Sequence, residues 1–130
     1  MLQQQEKEQE KAMSAPESAS QQLYGRLCQL MREQQPYTDS ELNRDIVAHM
    51  LGPNYNAVAA AIREFADGAT LGEFLDDWRI RHAAGLLRDS NDPVGLVGEM
   101  SGFASRSHFN TLFREKFKLS PTEYRKAARG

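Results

Sequence analysis

Cysteine is almost absent from this 130-residue chain, and the single one, Cys28, excludes an internal disulfide framework. Long apolar runs are missing as well, since no stretch approaches the ~18 residues that a membrane-spanning helix needs. The N-terminal stretch MLQQQEKEQEK is polar, which predicts no signal peptide. These absences favour a domain in a reducing compartment, and we expect it to be cytoplasmic, without membrane contact.

Constellations typical of catalysis or metal binding are also missing from the sequence. The histidines His49, His82 and His108 fall on different predicted helices, and there is no Gly-rich phosphate loop or nucleophile–base pair. Asp76 and Asp77 form a carboxylate pair, but neighbouring helical positions face apart, so we interpret the pair as a solvated helix face. The sequence therefore predicts no enzyme, with no catalytic residue, no metal and no cofactor.

The net charge is small, at −2, but the charged residues are unevenly distributed. Residues 102–130 hold seven Lys or Arg against two acids, a net charge of +5, whereas residues 1–101 hold nine against sixteen, a net charge of −7. A basic end on an acidic body suggests a surface that faces a polyanion. The alternative is a tail that only keeps the protein soluble, and the neighbouring helix has to decide between the two.

Helical periodicity dominates from Ser20 onward, and strand-like alternation is missing. Apolar spacing, caps, glycines and prolines divide this part into six or seven helices, a single domain over 21–130. The predicted helices are 21–34, 40–50, 56–66, 71–90, 94–100, 105–117 and 122–128. Residues 1–20 carry almost no apolar stripe, so we expect a disordered or linker segment there.

The predicted helices form two similar pairs around one long helix. A short apolar helix, a tight turn and a second helix occur at about 42–67 and again at about 93–117, with a linker helix at about 71–89 between them. This is the order of a helix-turn-helix, whose second helix can enter the major groove of DNA. The sequence thus predicts an all-α fold with two helix-turn-helix subdomains joined by a long linker helix.

Local signals specify the caps and the apolar faces of these helices. We expect Thr38, Asp39 or Ser40 to cap helix 40–50, Thr70 to cap the linker helix and Ser105 to cap helix 105–117. The apolar face expected for helix 40–50 comprises Leu42, Ile46, Val47 and Met50.

The run WRIRHAAGLL, followed by GFASRSHFNTLFREKFKLSPTEYR, resembles the C-terminal DNA-binding domain of the AraC/XylS transcription regulators. The positions that carry the resemblance are Arg79, Ile80, Ala83, Leu86, Leu87, Gly102, Phe103, Ser105, Ser107, Phe109, Phe113, Arg114, Phe117, Pro121, Tyr124 and Arg125. It extends over most of the chain, from Leu23 to Arg125, and implies double-stranded DNA as the partner. It also implies a signal output domain that works with RNA polymerase or an upstream sensor domain.

Helix 105–117 has the chemistry expected of a recognition helix. Phe and Leu residues form one stripe, and the opposite face is polar and cationic, with side chains that can bond base edges. The resemblance supports base contacts by Arg106, Ser107, His108 and Thr111. Contacts to the DNA backbone, or weaker ones, are expected from Asn54, Tyr55, Asn56, Arg63, Asn110, Arg114 and Lys116. The basic C-terminal tail is expected to add phosphate contacts.

The first helix pair departs from this pattern because its second helix contains AVAAAI. Alanine can touch a thymine methyl group but forms no hydrogen bond with a base edge. Two hypotheses therefore stay open for this helix, namely that it recognises bases or that it contacts only the DNA backbone. Lys118 and Gly98 also depart, since the family often has Gly and Ala there. A helical protein–protein interaction module with a degenerate helix-turn-helix stays open as the alternative function.

Overall fold

A computed structural model of the chain describes residues 18–52 and 54–130. All regular structure in these ranges is helical, which confirms the all-α prediction, and none of these helices has the length and apolarity to cross a bilayer. The helices are α1 (Ala19–Gln34), α2 (Arg44–Leu51), α3 (Tyr55–Phe65), α4 (Leu71–Asp89), α5 (Val94–Met100), α6 (Arg106–Phe117) and α7 (Pro121–Arg129), with a 3-10 turn at Pro36–Thr38. Of the segment expected to be disordered, residues 1–17 lie outside the described ranges, while Ala19 and Ser20 belong to α1 and correct the prediction there.

Side-chain caps determine where α4 and α6 begin. Thr70 and Glu73 form a reciprocal capping box at the start of α4, in which each side chain accepts a hydrogen bond from the other residue's backbone N–H. Ser105 Oγ accepts from the backbone N–H of His108 at 3.1 Å and so caps α6. Both caps agree with the prediction from the sequence.

The predicted start of α2 is wrong. The helix expected from Ser40 begins only after Asn43, whose side chain accepts from the backbone N–H of Ile46 at 3.0 Å. Asp39 cannot cap the helix, because its carboxylate accepts from the N–H of Glu41 in the turn that precedes α2. Asn43 is therefore the cap, and the helix is shorter than predicted.

The predicted apolar face of α2 is right for Val47 and wrong for Ile46 and Met50. Ile46 and Met50 are 40% and 44% exposed, whereas Val47 and Leu51 are buried. Both pairs have the spacing of one helical turn, and the packing of α2 against α1 and α3 selects the second pair for the core.

Two apolar clusters share the long helix α4. Its first half contributes Phe74 and Leu75 to a cluster with α1, α2 and α3. Its second half contributes Ile80 and Leu87 to a cluster with α5, α6 and α7. The pairs α2–α3 and α5–α6 are thus separate helix-turn-helix units on one linker helix, as the sequence predicts.

One buried arginine joins the two halves at the middle of α4. Arg79 Nε donates to the backbone carbonyl of Tyr37 at 2.7 Å, and Nη2 donates to that of Asp39 at 3.2 Å. Gly102, after α5, closes over the same place with φ +101°, and a Cβ there would lie 2.1 Å from the Tyr37 carbonyl oxygen. Only glycine fits this approach, which holds the second half against the first.

Candidate nucleic-acid interface

The inner face of α6 is part of a row of aromatic rings. Phe109 and Phe113 are buried, with ring centroids 5.9 Å apart, and Phe103 and Tyr124 extend the row at both ends. Gly98 makes room for it, since a Cβ at this position would lie 2.7 Å from the Phe109 ring. This packing accounts for glycine where the family often has alanine, and it turns the opposite face of α6 outward.

The outward face of α6 brings together the residues predicted to contact DNA bases. Its exposed members are Arg106, Ser107, His108, Thr111, Arg114 and Lys116, while Asn110 is half-buried at the side. The face offers hydroxyl groups, an imidazole and guanidinium groups on successive turns of one helix. Such groups can bond both base edges and phosphate oxygens.

Two of these side chains also bind the linker helix. His108 Nε2 lies 2.9 Å from Asp76 Oδ2, and Lys116 Nζ lies 2.9 Å from Asp77 Oδ1. The interpretation of the two acids as a solvated face is therefore wrong, because α6 packs beside α4 at this level. The opposite charges of α6 and of the two acids are compatible with such ion pairs. The contact between the two helices that brings the charges together cannot be inferred from periodicity.

Arg106 lies over α5. The guanidinium carbon is only 2.9 Å from the position that a Cβ on Gly95 would occupy. The cleft beside it is lined by Glu99 and Phe103 among others. Gly95 thus leaves a seat for the guanidinium, a role that no sequence signal indicated.

The residues predicted to contact DNA around α3 divide into two groups. Asn54 caps α3 by accepting from a backbone N–H in its first turn at 2.9 Å, and Tyr55 is half-buried beneath the Arg44 guanidinium, 5.2 Å from its ring centroid. Asn56 and Arg63 are exposed. The first two side chains therefore have structural partners, while the last two face solvent.

The basic C-terminal tail is tied largely to the end of α4. Arg125 donates to the backbone carbonyls of Leu87 and Ser90 at 3.0 and 3.1 Å, and Arg129 Nη1 donates to Asn91 Oδ1 at 2.7 Å. Carbonyls at a helix C-terminus are natural partners for cations. These two arginines therefore have structural partners within the domain, and the phosphate contacts expected of the tail stay a prediction.

The arrangement provides an exposed polar helix face. Among the residues that the structure describes, no cluster of three or more His, Cys, Asp or Glu side chains could hold a metal ion. His82 is half-buried beside Tyr37, with its Nδ1 3.4 Å from the phenol oxygen, and burial lowers the pKa of its imidazole. It is a core-edge residue.

Comparison with protein families gives a match over most of the chain. A family model described as "Helix-turn-helix domain" matches residues 48–127. The curated "HTH-type transcriptional activator RhaS" of Enterobacter sp. (strain 638) is 30% identical over 100 residues, which is 77% of this chain and 36% of that protein. RhaS of Escherichia fergusonii is 43% identical over 58 residues, 45% of this chain and 21% of that protein. The chain thus spans about a third or less of the length of these relatives.

Solved structures show the same fold. The C-terminal domain of AraT, a response regulator from Geobacillus stearothermophilus, superposes with a TM-score of 0.71 at 24% identity, covering 85% of this chain and 88% of that one. A transcriptional regulator of the AraC-type DNA-binding group from Chromobacterium violaceum gives 0.73 at 21% identity, with coverages of 86% and 96%. With these matching folds and a family model that covers more than half of the sequence, the chain belongs to the helix-turn-helix family of AraC/XylS-type DNA-binding domains.

Proposed function

We propose that this chain is the sequence-specific DNA-binding part of a transcription regulator and that α6 is its main recognition helix. The observation that supports this is the exposed face of α6, where polar and cationic side chains stand opposite a buried aromatic row. Arginine can bond guanine with two hydrogen bonds, and hydroxyl side chains can bond any base edge. Arg106, Ser107, His108 and Thr111 contact bases in this proposal.

The two helix-turn-helix units have unequal roles in this proposal. The α6 side chains Arg114 and Lys116 contact phosphates, which position the helix without specifying sequence. Around α3, Asn56 and Arg63 are exposed, and the positions between them on the same helix face, Ala59 and Ala60, are alanines. We therefore assign α3 chiefly to the DNA backbone.

The linker helix sets the distance between the two units. Each half of α4 is built into the core of one unit, so the units are carried on one rigid element. We propose that the two recognition helices enter successive major grooves on one side of the duplex, about 34 Å apart, the length of one DNA turn.

The chain is proposed to act as the output domain of a longer regulator. Relatives named transcriptional activators are about three times as long as the part matched here, and one structural neighbour is the C-terminal domain of a response regulator. RNA polymerase or an upstream sensor domain is the protein partner in this proposal. A regulator of chromosomal genes in bacteria acts in the cytoplasm, and we assign the chain to that compartment.

The salt dependence of duplex binding tests the proposed function. Each phosphate contact releases counterions, so the logarithm of the binding constant falls by about 0.9 per contact for each tenfold rise in salt. With at least three contacts, we expect a slope steeper than about −2.5 for the purified chain on fluorescent duplex DNA. A folded chain that fails to bind duplex DNA at low salt, or binds it with no salt dependence, would support the protein-interaction alternative instead.

Gly95→Ala is expected to raise the stability of the domain and to weaken its binding to the preferred site. Alanine is favoured over glycine in a helix, by at most about 1 kcal/mol at this second position of α5, so the unfolding midpoint should rise slightly. The new Cβ displaces the Arg106 guanidinium from its seat, and the freed side chain then loses more entropy on binding. We expect about three- to tenfold weaker binding, measured by fluorescence anisotropy.

Gly25→Ala is the matched control for this change. Gly25 lies in α1, and a Cβ there would meet no atom within 4 Å. It should raise the unfolding midpoint and leave DNA affinity unchanged. Equal DNA affinities of the two variants would show that the Gly95 seat has no role in binding.

A further inference from the structure

The acidic pair on α4 is part of the recognition unit. Asp76 has a side chain that is only 24% exposed, and its two oxygens point to different elements. Oδ2 lies 2.9 Å from His108 Nε2 on α6, and Oδ1 lies 3.5 Å from Arg79 Nη1 on α4. Asp77, by contrast, contacts Lys116 and Arg81, whose side chains are 40% and 49% exposed. Asp76 alone of the two reaches into the buried polar junction between the halves.

A continuous series of polar contacts therefore runs from the first half of the domain to α6. It begins at the backbone carbonyls of Tyr37 and Asp39, which accept from Arg79, and it continues through Asp76 to His108. The Arg79 side chain is 11% exposed, so its hydrogen bonds are shielded from water. Within the part of the protein that the structure describes, Asp76 is the only member of this series that is hydrogen-bonded to α6.

The contact with Asp76 defines what the imidazole of His108 can offer to DNA. A carboxylate accepts hydrogen bonds, so Nε2 carries a proton in this pair. In a neutral ring, Nδ1 is then the acceptor. The Phe103 ring stands edge-on to the imidazole, with centroids 5.8 Å apart, and limits its rotation from a second side. The ring is thus oriented before any DNA is present.

We infer that Asp76 is a positioning residue for DNA recognition, which fixes the His108 ring relative to Arg79. This inference rests on the proposed function, since it requires that α6 enters the major groove. His108 then presents Nδ1 as an acceptor, which matches the amino groups that adenine and cytosine display there. Asp76 acts without touching DNA, and its removal affects recognition of the one base pair that His108 contacts.

The first readout needs no DNA. In a ¹⁵N-labelled chain at alkaline pH, where imidazoles are neutral, we expect Asp76→Ala to shift the ring-nitrogen signals of His108. Asp77→Ala, which removes the same charge one position away, should leave these signals in place. Unchanged His108 signals in Asp76→Ala would overturn the contact on which the inference rests, whether or not the chain binds DNA.

The second readout is base preference. Affinities are measured for a panel of duplexes that differ by single base-pair substitutions. Asp76→Ala should lower the preference for one base over the others at one base pair by about three- to tenfold, the range for one lost hydrogen bond. Asp76→Asn, whose amide oxygen can still accept from Nε2, should restore most of it. In a His108→Ala background, Asp76→Ala should have no further effect on preference. Asp77→Ala should change affinity equally for all sequences.

The outcomes separate this inference from the proposed function. A wild-type chain with no base preference contradicts the proposed function. In that case the ring-nitrogen signals of His108 still test whether Asp76 contacts His108. A wild-type chain with a preference that Asp76→Ala leaves unchanged overturns the positioning role. If Asp76→Ala fails to fold, Asp76→Glu replaces it in the same cycle, because it keeps a charge beside Arg79 but displaces the carboxylate from His108.

Discussion

Gly102→Ala is expected to destabilise the domain by about 3 kcal/mol, the largest single effect on folding that we predict. Gly102 has φ +101°, a conformation that costs an alanine about 1–3 kcal/mol. In addition, the Cβ would lie 2.1 Å from the Tyr37 carbonyl oxygen and 2.8 Å from Arg79 Nε, so the junction between the two halves has to open. The unfolding midpoint, followed by circular dichroism, should fall by about 10 °C.

Gly68→Ala separates the backbone strain from the close approach. Gly68 also has a positive φ, +78°, but a Cβ there would meet no atom within 4 Å. This variant should lose only about 1 kcal/mol, from strain alone. If both variants lost the same stability, the contact of Gly102 with the Tyr37 segment would contribute nothing to the joining of the halves.

Arg106→Ala is expected to remove most of the sequence preference of the chain. Arg106 is the first residue of α6, and the N-terminal residues of a recognition helix contact base edges. An arginine that bonds guanine with two hydrogen bonds contributes about 1–3 kcal/mol of discrimination against other bases. The ratio of affinities for the preferred and a scrambled duplex should therefore fall by about 5- to 150-fold, while weak binding to any duplex persists.

Arg114→Ala is the matched control on the same helix. Arg114 is exposed in the last turn of α6, where we assign it to a phosphate. Its loss should weaken binding to all sequences alike and reduce the salt slope by about 0.9. An unchanged affinity ratio in Arg106→Ala, together with a normal unfolding midpoint, would refute the base contact that we assign to Arg106.

The sequence predicts the buried face of a helix where its apolar residues form only one possible stripe. In α6 the Phe residues define a single stripe, so both the helix and its polar outer face were predictable. In α2 the helix was predictable but its buried face was not, because Ile46 with Met50 and Val47 with Leu51 have the same spacing. A helix of eight residues has too few turns to favour one pair, and contact with α1 and α3 decides.

The candidate site shows a similar division. The residues of α6 could be proposed from periodicity and resemblance, since they lie on one helix face. Their partners could not, because the contacting residues are distant along the chain: Asp76 and His108 are 32 positions apart, and Arg125 and Leu87 are 38 apart. The packing of α6 and α7 on α4 creates these pairs, and it gives two arginines of the basic tail partners at the end of α4.

Selection of binding sites from random duplex DNA tests the central claim most directly. The purified 130-residue chain should enrich one motif, with the strongest base preference in the segment contacted by α6. A weaker segment should lie about 10 base pairs away, where α3 meets the next major groove. A pool that stays random through successive rounds, with a chain that is folded by circular dichroism, would contradict the claim that α6 recognises DNA sequence.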